Sequence, residues 1–242
     1  MRLKSAFALL FSLAFAAGSG RVALADPPAP VKLPEPAATA RPAAPSSGPT
    51  AAEVAGRVQA FYDQTKTFQA DFKQEYLIKI HNQKKTSDGH VVFEKPGKMS
   101  FTYNQPNGNR VVSDGKLLKV YEKENQQMFE QAVDKSQYPA ALAFLMGQGD
   151  LAKSFSLRLL DASAMKFEGG YVLEGTPLEA TPAYQLVLLY IDTATAQVRR
   201  VLILDAQGNR NRFDFSNPIV NMRVPQNEFV LTPPPGTQIL RP

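Results

Sequence analysis

The sequence predicts a mainly β domain of the α+β class: an incomplete, strongly curved antiparallel β-barrel of about eleven strands, with short helices as a lid over an apolar cavity. Three observations carry this expectation. Apolar and polar residues alternate from Phe68 to His81, with Gln74 and Leu77 the exceptions, the period of a half-exposed strand. Shorter alternating runs then recur along the chain, separated by Gly, Pro, Asn and Asp turn signals. Two helical patterns, one ahead of the strands and one among them, interrupt the ladder. A ladder of this length curls around a core, and a curled sheet that meets helices on its concave side can leave a hollow between them.

The elements follow in order. Thr50 and Glu53 sit at capping-box spacing, and Val54, Val58, Phe61 and Tyr62 recur at helical intervals. After the long strand from Phe68, further strands are expected at Thr86–Glu94, Lys98–Asn104, Arg110–Ser113, Leu117–Glu122 and Gln127–Ala132. Lys95-Pro96-Gly97, Gln105-Pro106-Asn107-Gly108, Asp114-Gly115 and Lys123-Glu124-Asn125 divide them, which implies consecutive hairpins. From Tyr138 to Gly147 the pattern changes to a short helix that is apolar nearly all round, with another short helical turn at Asp150–Lys153. Strands resume at Phe155–Leu160, Tyr171–Gly175, Tyr184–Asp192, Val198–Leu204 and Arg210–Phe215.

Ahead of this domain, Arg2 and Lys4 precede an apolar run from Ala6 to Ala17, and Ala23-Leu24-Ala25 offers small residues at the −3 and −1 positions of a cleavage site. Residues 1–25 therefore read as a cleaved secretory signal, too short and too diluted by Ser and Gly for a spanning helix. Residues 26–49 are mostly Pro, Ala and Ser, a composition that cannot offset its ordering entropy and reads as a flexible linker. Residues 50–242 make one domain.

Without Arg2, Lys4 and Arg21 the 27 basic residues fall to 24 against 22 acidic, a net charge near +2 rather than +5. That is no footprint for nucleic acid or for an anionic membrane. The chain has no cysteine, so neither disulfides nor a lipidated N-terminal cysteine are available, and an apolar core must hold the fold. Enzyme chemistry finds no support. His81 and His90 are the only histidines and match no metal spacing, and no G-x-S-x-G elbow or phosphate-binding G-x-x-x-x-G-K-[ST] loop is present. Asp71 and Glu75 fall on the polar face of a strand, and Glu122 and Glu124 flank a turn and read as solvated surface. No cofactor is expected.

The run G-H-V-V-F-E-K-P-G-K-M-S-F-T-Y-N-Q-P-N-G-N-R-V-V-S-D-G-K-L-L-K-V-Y from Gly89 to Tyr121, the Phe68–Gln74 strand, and F-V-L-T-P-P-P-G from Phe229 to Gly236 resemble the LolA family of periplasmic lipoprotein carriers. The resemblance spans residues 50–242. It implies an eleven-strand incomplete barrel whose cavity receives the acyl chains of lipoproteins released by an inner-membrane ABC-type exporter. It further implies delivery across the periplasm to the outer membrane, through a receptor of the same fold. A monomer is the default for a protein that must expose and cover its own cavity. It also implies a latch. The family's arginine before the strand-ending proline holds the lid by hydrogen bonds to lid backbone, and Lys95 stands at that position here. Lysine is a flexible point donor where arginine is a planar fork. A tryptophan that the family often places near Leu118 is absent.

A carrier of acyl chains needs apolar area with little directional bonding. The expected cavity lining is Phe72, Tyr76, Val91, Phe93, Met99, Phe101, Tyr103, Leu118, Val120, Leu142, Phe144, Leu145 and Met146, with Met99 and Met146 suited to repacking around varied chains. The same fold also serves carriers of free lipid or another amphiphile, and regulatory proteins that sense lipoproteins.

Overall fold

The structure is a computed structural model that describes residues 48–133, 149–181 and 183–241. The expected signal, nearly all of the expected linker, and the expected apolar helix Tyr138–Gly147 lie outside the described residues.

Helix α1 spans Ala51–Gln64. Its capping box forms as the spacing predicts: the Glu53 backbone N–H donates to the Thr50 hydroxyl at 3.2 Å, and the Thr50 N–H donates to Glu53 Oε2 at 2.7 Å. Strands β1 (Thr67–Ile78) and β2 (Gln83–Glu94) then form a hairpin paired over its full length, from Thr67–Glu94 to Ile78–Gln83. The alternation that reads as one strand to His81 ends at Ile78. A 3₁₀ turn at Lys79–His81 and Asn82 at φ 47° reverse the chain, since asparagine tolerates the left-handed region better than most residues. Strands β3 (Lys98–Tyr103), β4 (Arg110–Asp114), β5 (Leu117–Glu122) and β6 (Gln127–Ala132) continue the meander.

The second half opens with helix α2 (Leu151–Ser154), where the Asp150 carboxylate accepts from the N–H groups of Ala152 and Lys153. Strands β7 (Phe155–Leu160), β8 (Gly170–Pro177), β9 (Leu186–Asp192), β10 (Val198–Leu204) and β11 (Arg210–Val220) form a second meander. The two meanders join where β11 pairs with β1. A twelfth strand, β12 (Gln238–Leu240), lies parallel to β6 at the sheet's edge. The sequence does not announce it: three residues carry no period, and only the open edge of β6 makes them a strand. The sheet order is β12-β6-β5-β4-β3-β2-β1-β11-β10-β9-β8-β7, an open curved sheet that is antiparallel except at β12.

The period-two pattern sorts side chains onto two faces. On the concave face, Phe68, Phe72, Val91, Phe93, Phe101, Val111, Leu118, Leu189 and Phe213 share one core with Val54, Val58 and Tyr62 of α1 and Leu151 of α2. Their chain neighbours turn the other way. Val92, Val112 and Met128 pack on the convex side under Val224, Phe229 and Leu231 of the C-terminal segment, and Val172, Leu188 and Tyr190 form a third group. The concave core is aromatic. Phe72 meets Phe101 and Tyr103 edge-on at 5.4 and 5.0 Å, and Phe101 meets Phe93 and Phe213 at 5.8 and 6.0 Å; such edge contacts add to the burial itself.

Gly89 makes this packing possible. It pairs with Phe72, and a Cβ there would stand 2.1 Å from the Thr102 carbonyl oxygen and 2.9 Å from the Phe72 ring. Any side chain would force the ring or strand β3 outward.

Candidate functional site

The concave face is not filled to its end. Along β1 the inward residues are Phe68, Ala70 and Phe72, all buried, followed by Gln74 and Tyr76. At those last two a cavity of about 670 Å³ opens. Tyr76, Tyr103, Val111 and Val120 give it an apolar floor. Gln74, Lys85, Ser87, Asn109 and Glu122 make its walls polar, and Asp88, Gln105, Lys123 and Glu124 stand at the mouth. It is bounded by the β1–β2 hairpin, the β3–β4 loop and the β5–β6 turn.

The mouth is held by local hydrogen bonds. Asn109 is buried, accepts from the Lys123 N–H at 2.9 Å through its side-chain oxygen, and its carbonyl accepts from the Tyr103 N–H at 3.0 Å. Lys123 Nζ donates to Gln105 across the opening. On the far wall Gln74 Nε2 donates to Asn211 Oδ1 at 2.9 Å, tying β1 to β11. Burial pushes the Tyr103 hydroxyl well above the ordinary tyrosine range.

Of the expected lining residues, Tyr76, Tyr103 and Val120 border the cavity. Phe72, Val91, Phe93, Met99, Phe101 and Leu118 are buried deeper along the same concave face, none more than 3% exposed. Leu142, Phe144, Leu145 and Met146 lie outside the described residues. The polar walls are a departure from the expected lining, and Glu122 is the sharpest case. Expected as solvated surface, it is 1% exposed. Asn125 Nδ2 donates to its Oε2 at 2.9 Å, while Oε1 is buried and has no partner among the described residues. Burial pushes the carboxyl up from its ordinary value, against the Asn125 hydrogen bond, and the nearby Glu124 charge adds to the push. One signal could have placed it: Leu118, Val120 and Glu122 share the parity of β5.

Lys95 sits at the far end of the same face. Its Nζ donates to the carbonyl oxygen of Tyr62 in the last turn of α1, and its own N–H donates to the Lys66 carbonyl at 2.9 Å. A cation at a helix C-terminus meets unsatisfied carbonyls and the negative end of the dipole. Burial pulls the ammonium below its ordinary value, and Asp63 works against that pull. Tyr62 anchors the helix from its other side, its hydroxyl accepting from the Val198 N–H at 3.2 Å.

Among the described residues no three His, Asp or Glu side chains gather as they would around a metal ion, and no helix is long and apolar enough to cross a membrane. His90 faces Asp71 at 3.1 Å on the exposed side of the sheet, where Asn217 also donates to Asp71 at 2.8 Å. These hydrogen bonds, Asn217 first, hold the Asp71 carboxyl below its ordinary value.

The family model described as outer membrane lipoprotein carrier protein LolA matches residues 63–232. The chain belongs to the LolA family. An outer-membrane lipoprotein carrier protein of Nitrosomonas europaea is 27% identical over 193 residues, covering 80% of this chain and 91% of that protein. The counterpart in Nitrosospira multiformis is 28% identical over 186 residues, covering 76% and 87%. Among solved structures, a LolA superfamily protein from Nitrosomonas europaea aligns with 76% of this chain and 99% of its own at 15% identity and a TM-score of 0.43. An uncharacterized conserved protein from Thermus thermophilus aligns over 79% and 99% at 16% identity and a TM-score of 0.49. The curved sheet with short helices on its concave side is the LolA-like fold.

Proposed function

We propose that this chain is a periplasmic carrier of lipoproteins, which seats their acyl chains on the concave face and transfers them from an inner-membrane ABC-type exporter towards the outer membrane. The observation that carries the reading is the form of the cavity: about 670 Å³ with an apolar floor and a polar mouth, continuous with an aromatic core. An amphiphile needs that gradient. Each methylene buried contributes about 0.8 kcal/mol, and the polar head stays at the rim. Ligand pockets commonly hold roughly 300–1,000 Å³. A cargo with several chains outgrows the open volume and must displace rings behind Tyr103, beginning with Phe72. That displacement makes the binding reversible, because the protein's own packing competes with cargo for the same space.

Within this reading Phe72, Val91, Phe93, Met99, Phe101 and Leu118 are the deeper part of the site, and Lys95 is the latch that fixes α1 against the β2–β3 turn. The test is release of an acylated lipoprotein from inner-membrane vesicles that contain the exporter. A soluble one-to-one complex is the expected product. Equal release of an unacylated cargo, or none with a working exporter, would sink the reading; co-purifying phospholipid in place of lipoprotein would assign the cavity to free lipid.

A further inference from the structure

The cavity carries a polar group that simple storage of hydrocarbon does not require. Leu118, Val120 and Glu122 follow one another on the inward side of β5, so the row that meets acyl chains ends in a buried carboxyl. A carboxyl oxygen buried without a partner costs free energy comparable to a lost hydrogen bond. Glu122 Oε1 is in that position among the described residues, and Glu122 lines the cavity at its polar end.

We propose that Glu122 is a specificity-determining residue of this cavity: its free oxygen donates a hydrogen bond to the ester carbonyl at the root of an acyl chain, selecting esterified chains over chains that lack the carbonyl. The proposal rests on the carrier reading and deepens it. The direction of the bond follows from the neighbours. Asn125 Nδ2 donates to Oε2, which makes that oxygen the acceptor and leaves a proton to sit on Oε1. Burial favours that protonated form. Among the described residues the other charged groups at the opening are Lys85, Asp88, Lys123 and Glu124, and Lys123 is engaged by Gln105. Ester carbonyls are shared by acylated peptides and phospholipids, so both are probed.

The experiment measures equilibrium binding by calorimetry, below the critical micelle concentration, for the full chain and for Glu122→Gln and Glu122→Leu. The probes are a peptide whose N-terminal cysteine bears a diacylglyceryl group, its dialkyl-ether counterpart, and the same ester and ether pair of a short-chain phospholipid. The unsubstituted protein is expected to prefer ester over ether lipopeptide about tenfold, the worth of one hydrogen bond to an otherwise unpartnered group. Glu122→Gln, whose amide can still accept from Asn125 and donate to the carbonyl, keeps most of that preference. Glu122→Leu loses it while holding the ether probe as tightly as before. A preference that survives in Glu122→Leu, or none in the unsubstituted protein, overturns the proposal and leaves the carrier reading standing. Binding of neither lipopeptide overturns the carrier reading; a Glu122-dependent preference within the phospholipid pair alone would then support the contact with lipid as its source, and binding of no probe overturns both.

Discussion

The two ends of the concave face are built from the same strands and filled differently. At the α1 end, β1 presents Phe68 and β2 presents Phe93, their rings 6.2 Å apart beneath Tyr62. At the hairpin end the same two strands present Gln74, Tyr76, Lys85 and Ser87 around open space. Phe72 and Gly89 pair at the boundary. The change from packed to hollow takes place within two inward positions of β1, from Phe72 to Gln74. A sheet holds a cavity, then, where its inward row turns polar, because polar side chains that bond to one another do not collapse inward as apolar ones do.

This contrast can be broken by substitution. The largest effect is expected at the packed end, where Phe93→Ala should cost about 3–5 kcal/mol, while Val120→Ala beside the cavity should cost about 1 kcal/mol or less. Denaturant unfolding of both variants checks it, and equal losses would show that the two ends are packed alike. An intermediate effect is expected for Lys95→Leu. Losing the donor to the Tyr62 carbonyl should lower stability by about 1 kcal/mol and change the rate of cargo transfer; a variant that transfers at the original rate makes Lys95 a structural cap only.

The smallest effect is one of pH. The Glu122 carboxyl is raised above its ordinary value in the folded chain. Its contribution to stability is therefore complete below the unfolded-state value and is lost as pH rises through the folded one. Glu122→Gln removes that loss, so the variant should gain on the unsubstituted protein as pH climbs from about 4 towards neutrality. Thermal melts across that range check it, and parallel curves would mean that Glu122 is solvated when folded.

Much of this was legible in the residues. The alternation of β1, the Pro, Gly and Asn turns between strands, and the Thr50–Glu53 box each fix a local structure through short-range sterics or hydrogen bonding, and each forms as read. Strand ends were less so. β2 begins at Gln83 rather than Thr86, and β11 runs to Val220 rather than Phe215: residues 83–85 are polar, and residues 216–220 open with Ser-Asn-Pro, so pairing with β1 rather than their own pattern makes both extensions strand. β12 depends wholly on such a neighbour. In the site, Tyr76, Tyr103 and Val120 could be chosen by parity and apolar character, but Glu122 could not be chosen by a search for apolar lining. Its charge argued for water, and only its parity with Leu118 and Val120 argued otherwise.

The pairing of β1 with β11 also sets an order of assembly. These strands are separated by most of the domain, residues 67–78 against 210–220. As the polypeptide emerges N-terminus first, β2 can zip onto one edge of β1 within microseconds. The other edge has no partner until residues beyond 210 have emerged. Through that wait one edge of a twelve-residue strand carrying Phe68, Phe72 and Tyr76 stands bare. The half-made chain is thus a better client for a holding chaperone than either the first hairpin or the finished sheet, and its central seam is among the last to close.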